Sequence, residues 1–227
     1  MTKKYELVLD DTISFWGWKL FRIRALISFG SVEAGDLGGY IEKEENLSHD
    51  GNAWVSGDAK VSGNAKVSGN AKVSGDAKVS GDAKVSGNAK VSGNAKVSGN
   101  AEVSGNAKVS GDAKVSGNAE VSGNAEVWGN AKVSGNAKVS GNAEVSGNAE
   151  VWGNAKVSEL GDLIVFKNHW SSGRHFTYTK SNKMWKVGCF YGTGQELIEK
   201  AYRDSEKSGN YYKAYVDFVE NLEKLGD

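Results

Sequence analysis

The residues best suited to acid–base or nucleophilic chemistry are three histidines and one cysteine, and the chain holds them far apart. A histidine can act as a general base or bind zinc, and a cysteine can act as a nucleophile beside such a base. His49 precedes a long repeat, whereas His169, His175 and Cys189 follow it. The repeat itself contains neither residue type. We therefore expect no catalytic residues, metal site or cofactor, and we interpret the lone cysteine as a small buried hydrophobe.

The element that must position any functional residue is the repeat, which runs from Ala53 to Ser158. The six residues Ala-Lys/Glu-Val-Ser-Gly-Asn/Asp recur eighteen times without an insertion. Alanine and valine lie two positions apart, so in an extended chain both point inward while the charged residue between them points outward. Gly-Asn and Gly-Asp pairs favour a corner after each unit, because glycine and asparagine tolerate positive φ. The pattern predicts a mainly β protein built as a parallel solenoid.

Two segments that lead into the repeat carry a resemblance. Residues 32–41 (VEAGDLGGYI) and 46–55 (NLSHDGNAWV), together with the repeat, resemble bacterial and bacteriophage left-handed β-helix proteins of the hexapeptide-repeat type, whose function is uncharacterised. Residues 187–193 (VGCFYGT) are similar to the tail of the phage-type members. The resemblance implies a left-handed triangular solenoid with three hexads per coil, hence about six coils and a rod about 29 Å long. It implies no particular activity.

The chain is predicted to have three parts. Residues 1–52 form an N-terminal cap and entry coil, residues 53–158 the solenoid, and residues 159–227 a small C-terminal module. In the cap, strands at 5–9 and 20–26 predict a β-hairpin, with residues 10–12 and Gly17 as turn material. An aromatic plug for the first coil is expected from Phe15, Trp16, Trp18 and Phe21. In the C-terminal module, strands at 163–166, 175–179 and 184–190 precede two helices. A capping box of Thr193 and Glu196 starts the first helix, which runs through about residue 207 and is stopped by Ser208-Gly209, and the second helix starts near residue 210.

Three hexads per coil would align the outward side chains in three columns. One column contains Lys60, Lys78, Lys96, Lys114 and Lys132. This ladder could hold an anionic partner, but we favour a solvated face, because the repeat has no arginine and no aromatic residue interleaved with the lysines. A corner column that contains Asp58, Asp76 and Asp112 could hold a cation, although ordinary turn residues are the favoured interpretation.

Five aromatic residues are candidates for contact with a protein partner. Trp128 and Trp152 replace the serine of their hexads, and Trp54 occupies the first outward slot. We expect each tryptophan to be exposed or covered by another segment, since tryptophan is enriched at binding hot spots. Tyr212 and Tyr215 belong to the apolar face of the second predicted helix.

The composition does not indicate binding to nucleic acid or to a membrane. The formal net charge is zero and 25% of the residues are charged. No apolar run approaches the length of a membrane span, and a single cysteine suits a reducing compartment. We expect a protein in the cytoplasm of a bacterial host that does not bind nucleic acid or membrane. A protein partner or self-association is expected, with the C-terminal helices as a route to a homo-oligomer.

The resulting hypothesis is a non-enzymatic solenoid that serves as a binding or scaffold protein, associated with phage, and recognises its partner through the C-terminal module and the tryptophans. One alternative is a phage anti-defence or host-takeover inhibitor that acts by occupying a surface. A second alternative is an acyltransferase-like enzyme, retained because hexapeptide β-helices often have that activity.

Overall fold

The computed structural model describes residues 3–15 and 17–225, and it begins with an antiparallel hairpin. Strand β1 (Tyr5–Phe15) pairs with β2 (Trp18–Ala25), which in turn pairs with β3 (Leu37–Ile41). The predicted hairpin is confirmed, but both strands run to its tip. Residues 10–12, expected to be turn material, lie inside β1, because an irregularity in the register between Val8 and Thr12 absorbs them.

The aromatic plug predicted for the cap is wrong. Trp18 is 51% exposed, and Phe15 and Phe21 are only half-buried, whereas Trp16 lies outside the described residues. The long strands carry Phe15 and Trp18 to the hairpin tip, whereas Phe21 pairs with Ile41 of β3. The cap residues that join the core of the first coil are instead Tyr5, Ile23 and Ala25, at the base of the hairpin.

The solenoid consists of eighteen two-residue strands, β4 to β21, one in each hexad. They form three parallel sheets, called faces 1, 2 and 3. Face 1 contains β4 (Trp54–Val55), β7 (Lys72–Val73), β10 (Lys90–Val91), β13 (Lys108–Val109), β16 (Glu126–Val127) and β19 (Glu144–Val145). Face 2 contains β5 (Lys60–Val61), β8 (Lys78–Val79), β11 (Lys96–Val97), β14 (Lys114–Val115), β17 (Lys132–Val133) and β20 (Glu150–Val151). Face 3 contains β6 (Lys66–Val67), β9 (Lys84–Val85), β12 (Glu102–Val103), β15 (Glu120–Val121), β18 (Lys138–Val139) and β21 (Lys156–Val157).

The three-hexad coil is confirmed by the register, which pairs each valine with the valine three hexads later, as in Val73 with Val91 and Val91 with Val109. The stack has about seven coils rather than six, since the entry coil joins it. On face 2, β3 pairs in parallel with β5, and on face 3 Leu47 bridges to Val67.

The interior of the rod is a stack of valine and alanine, and every one of these side chains in the repeat is at most 1% exposed. Backbone hydrogen bonds join the coils, for example from Lys96 N–H to Ala113 O at 2.9 Å. At the corners, asparagine amides continue the pattern, as Asn88 Nδ2 donates to Asn106 Oδ1 at 3.0 Å. Glycine is needed there twice over: Gly87 has φ +66°, and a Cβ on it would stand 2.9 Å from the backbone nitrogen of Gly105.

The exposed carbonyls of the first coil are satisfied by side-chain donors from the cap. The buried Lys4 ammonium nitrogen donates to Ala53 O at 2.9 Å, and the Tyr5 hydroxyl donates to Leu47 O at 2.8 Å. Asn46 Nδ2 donates to Ala65 O at 2.8 Å. A solenoid end would otherwise leave such groups unpaired, so these contacts close the rod. Cap and repeat share one hydrophobic core, from Tyr5 to Val157.

The C-terminal module contains a four-stranded antiparallel sheet and two helices, with a second core of its own. Its elements are β22 (Leu163–Lys167), β23 (His175–Thr179), β24 (Met184–Val187), β25 (Phe190–Gly192), α1 (Gly194–Asp204) and α2 (Glu206–Leu225). The predicted single strand over 184–190 is wrong. It ends at Val187 because Gly188, at φ +55°, turns the chain into β25. In the described part of the chain, neither helix is long and apolar enough to cross a membrane.

The helix start is confirmed and the helix break is displaced. Thr193 caps α1 in a capping box with Glu196, as expected. The break falls at Ser205 instead of at residues 208–209, and Gly209 lies inside α2. The Tyr202 ring occupies the space that a Cβ on Gly209 would need. This glycine therefore allows close packing of the two helices rather than ending one of them.

Candidate binding surfaces

The histidines and the cysteine do not converge. His49 stacks on Tyr5 with ring centroids 4.4 Å apart and accepts the Lys4 backbone N–H at Nδ1, and burial lowers the pKa of its imidazole. His169 and His175 are exposed in the C-terminal module, at the other end of the rod. Cys189 is exposed, so its interpretation as a buried hydrophobe is wrong. Within residues 3–15 and 17–225, no group of three or more His, Cys, Asp or Glu is arranged to hold a metal ion.

Two of the five aromatic candidates are buried and present no ring to a partner. Trp54 is 7% exposed, because the loop between β2 and β3 brings Phe29 edge-on to its ring at a centroid distance of 5.5 Å. Tyr212 is 8% exposed, and its hydroxyl accepts a hydrogen bond from Asn168 Nδ2 at 3.0 Å. Their assignment to a partner surface is corrected: both belong to cores of this chain.

Trp128 and Trp152 remain on the surface of the solenoid, 44% and 39% exposed. Trp152 is also a docking point for the C-terminal module. The Lys186 ammonium nitrogen lies 4.4 Å from the centroid of its ring, and the Tyr191 hydroxyl donates to its carbonyl at 3.2 Å. Trp152 is therefore partly exposed and partly covered by another segment. Both outcomes were expected for the tryptophans.

Side-chain acceptors of the C-terminal module fix it to the last coil. The backbone N–H groups of that coil point out of the C-terminal end of the rod, where a further coil would accept their hydrogen bonds. Glu150 N–H donates to Thr177 Oγ1 at 3.0 Å, and Lys156 N–H donates to Ser181 Oγ at 2.8 Å. These bonds replace those that a further coil would make, so the module is a cap as well as a separate core. They also fix which face of the rod the module overhangs.

The lysine ladder lies along face 2, in a groove of about 550 Å³ whose other wall is the corner column with Asp76 and Asp112. Among the described residues, the ammonium groups of Lys96 and Lys114 have no carboxylate within ion-pair distance. Faces 1 and 3 each carry two glutamates, and a lysine one rung away pairs with at least one of them, as at Lys108–Glu126, 2.6 Å apart, and Lys84–Glu102, 2.7 Å apart. Two like charges one rung apart repel by roughly 1 kcal/mol in water, so the ladder is tolerated rather than stabilising.

Both end modules extend this groove. The Phe15 ring, at the hairpin tip, lies 5.1 Å from the Lys78 ammonium nitrogen. At the other end a second groove of about 500 Å³ shares Lys132 and continues past Glu150 and Trp152 to Arg174, His175 and Lys186. We call the five lysines of face 2 and the module residues Arg174, His175 and Lys186 the lysine trough. The sequence predicted the lysine ladder, but it did not predict that Arg174, His175 and Lys186 lie at one end of it.

Helix α2 has a second apolar stripe at the edge of its core, in which Tyr211 and Tyr215 contact Trp170 and the residues that follow are exposed. Phe218, Leu222 and Leu225 are 51%, 39% and 84% exposed. With the half-buried Tyr211 and Tyr215 they form a row spaced 4-3-4-3 along the helix, which we call the outer stripe. The sequence interpretation merged this row with the buried one that contains Tyr212, Val216 and Val219. The helical spacing of Phe218 was the signal that could have separated the two.

No protein-family model matches this chain, and no curated protein is significantly similar to it. Of the segments that carry the resemblance to phage solenoid proteins, residues 32–41 and 46–55 form β3 and the entry coil. They lie where the solenoid starts, outside the lysine trough and the outer stripe. The repeat and residues 187–193, which also carry the resemblance, include the lysine ladder and Gly188 at the end of the trough, but the resemblance implies no activity for these surfaces.

Proposed function

We propose that this chain is a non-enzymatic binding or scaffold protein, in which the solenoid is a rigid spacer and the C-terminal module carries the surface for a protein partner. The outer stripe of α2 is the observation that supports this role. The proposal retains the left-handed winding and the phage association that the resemblance implies. It places the protein in the cytoplasm of a bacterial host, where the exposed Cys189 would stay reduced.

The spacing of the outer stripe favours another helix as its occupant. A 4-3-4-3 row of apolar residues is the seam of paired helices, whose knobs fit between the residues of the facing helix. Exposed apolar patches of this kind on soluble proteins mark interaction sites. Phe166 of β22 extends the patch, since its ring centroid lies 5.0 Å from that of Tyr215 and 6.4 Å from that of Phe218.

A second copy of this chain supplies a helix with the required spacing, and we infer that the stripe pairs with itself. Ala214 and Asn221 flank the stripe on its open side, so two helices can approach there without repulsion between like charges. An antiparallel pair centred on Phe218 would place the aromatic half of one stripe against the aliphatic half of the other. Self-association would join two rods through their C-terminal ends.

Light scattering coupled to size exclusion, over a range of protein concentrations, tests this assignment. The double variant Phe218→Glu/Leu222→Glu should be monomeric, whereas the wild-type protein should be dimeric. The matched control is Leu9→Glu/Leu160→Glu, which adds the same charge at apolar side chains 72% and 68% exposed, away from α2. The control should remain dimeric. A wild-type monomer at every concentration, or equal dissociation of both variants, would contradict self-association through α2.

A further inference from the structure

The lysine trough differs from the other faces of the rod in three respects. It concentrates like charge, since five of its six outward slots between Lys60 and Glu150 are lysine. It is concave, because the hairpin tip overhangs one end and the C-terminal module overhangs the other. It also combines residues of the solenoid and of the C-terminal module, and the hairpin tip of the cap approaches it at Lys78. Concave, single-sign surfaces attract and hold a ligand of opposite charge.

The charge of the trough is only partly neutralised within the chain. Lys132 pairs with Glu150 at 2.7 Å, and Lys60 donates to the backbone oxygen of Asp58. In the middle of the ladder Lys96 and Lys114 make no ion pair with any described residue. The carboxylates of Asp76 and Asp112 line the same groove and moderate its charge without reversing it. A net cationic trough about 19 Å long remains between Lys60 and Lys132.

Aromatic rings stand at both ends of the trough. Phe15 and Trp18 face each other across the hairpin turn, so their side chains point to the same side, the side on which Phe15 meets Lys78. Trp18 is 51% exposed. Trp152 lines the opposite end together with Arg174. Lysines along a groove with rings for stacking are the two components of a surface that binds single-stranded nucleic acid.

We propose that the lysine trough binds a single strand of nucleic acid, with backbone phosphates along the ladder and bases stacked on the aromatic rings at its ends. The repeat contains no arginine and no aromatic ring between the lysines of the ladder, which argued against nucleic acid at the level of sequence. The hairpin tip supplies Phe15 and Trp18, the last coil supplies Trp152, and the C-terminal module supplies Arg174. This inference is independent of the pairing of α2 proposed above.

A single strand fits the trough better than two other polyanions. A duplex hides its bases from the rings at the ends. An extended acidic peptide presents carboxylates on one side every ~6.7 Å, whereas the rungs repeat every ~4.8 Å, so successive charges lose register. A flexible single strand can adjust its phosphate spacing to the lysines.

Fluorescence anisotropy with a labelled oligothymidine, at a series of KCl concentrations, tests the proposal on the full chain. The variant Lys96→Glu/Lys114→Glu should bind at least about tenfold more weakly at low salt, because two phosphate contacts become repulsive. The salt dependence of log K should flatten by about 1.4, since each phosphate contact on a single strand contributes about 0.7 to the slope. Glutamate is tolerated at this slot, as it occupies it in Glu102 and Glu120.

The repeat offers a closely matched control. Lys66→Glu/Lys90→Glu changes the net charge equally, at the same hexad position, but on faces 3 and 1. It should leave the affinity within about twofold of wild type, because the changed side chains lie outside the trough. Equal weakening by the two double variants would overturn the assignment to face 2 and indicate a diffuse charge effect.

Two further variants separate the phosphate and base contributions. Asp76→Asn/Asp112→Asn removes the carboxylates beside the ladder and should strengthen binding. Trp18→Ala should weaken binding of oligothymidine severalfold and leave binding of inorganic polyphosphate unchanged. No binding of oligothymidine by the wild-type protein, or binding of polyphosphate that oligothymidine cannot displace, would overturn the proposal of nucleic acid.

Discussion

Deleting whole hexads from the middle of the rod should rotate the C-terminal module about the rod axis by an amount set by the number removed. Removing residues 91–108 takes out three hexads, one complete coil, and joins Lys90 to Val109 in an unbroken hexad. Removing residues 91–102 takes out two hexads and joins Lys90 to Val103. The first change returns the module to its original face, about 4.8 Å closer to the cap. The second rotates it by about 120°, since one coil holds three hexads.

Both variants should fold, because every hexad contributes the same buried valine and alanine to the stack. At about 0.05–0.15 kcal/mol per residue, the loss of one coil should lower the free energy of unfolding by about 1–3 kcal/mol, and the loss of two hexads by about two thirds of that. The charges on face 2 differ sharply between the variants. After the three-hexad deletion the outward slots read Lys60, Lys78, Lys114, Lys132 and Glu150, whereas after the two-hexad deletion they read Lys60, Lys78, Lys108, Glu126 and Glu144.

Two measurements distinguish the deletions. Spin labels on Cys189, the one cysteine of the chain, and on Leu9→Cys report the distance between the module and the hairpin. This distance should change by at most about 5 Å in the three-hexad variant, and by more in the two-hexad variant, where the module moves to another face. Oligothymidine binding should survive the first deletion and be lost in the second. Unfolding of the two-hexad variant alone would refute the interchangeability of the hexads on which this reasoning depends.

Four further outcomes are expected. Burial lowers the pKa of Lys4 from 10.5 to about 8, so the free energy of unfolding should rise from pH 8 to pH 10 by up to about 2–3 kcal/mol. Unfolded chains keep this proton up to pH 10.5 while the folded protein releases it, and Lys4→Met should abolish the rise in urea denaturation. Above pH 10 stability should fall again, because burial raises the pKa of Tyr5 and only the unfolded chain ionises it. Val97→Ala, at a site 0% exposed, should cost about 1–3 kcal/mol in the same assay through the cavity it leaves. Thr177→Val removes the acceptor of the Glu150 amide and should speed its hydrogen exchange, with little effect on amides of the central coils.

The repeat could be read from sequence down to individual faces, whereas the ends could not. An unbroken six-residue period fixes which side chains point inward, and three units per coil then fix each column. The entry coil has no such period: eight residues separate Leu47 from Val55, and the coil closes through the side chain of Asn46. At the helix break, Gly209 gave the usual stop signal, but packing against Tyr202 kept it inside α2.

The candidate surfaces were predictable in part, for a related reason. The lysine ladder follows from the repeat alone. The burial of Trp54 depends on a loop folding back over face 1, and a hexad pattern carries no information about that loop. The arrival of Arg174 and Lys186 at face 2 depends on the orientation of the whole module, which Thr177 and Ser181 set by bonding to the last coil. The sequence pattern does not predict contacts between the repeat and the parts of the chain that lack its six-residue period.

In a rod whose interior is uniform, the number of coils determines how the two ends are placed relative to each other. The hairpin tip and the C-terminal module each contribute rings or cations to face 2, and they can do so together only when a whole number of coils separates them. Eighteen hexads make six full coils of the repeat, which meets this condition. Corner chemistry agrees with a distinct role for that face. Asparagine amides form a chain of hydrogen bonds from Asn52 to Asn142 along one corner, whereas the corner beside the lysines gives up most of such bonds for aspartates. When no ligand is bound, the aspartates reduce the repulsion between the lysines of the ladder. This explains why carboxylates lie beside a lysine ladder that is proposed to bind a polyanion.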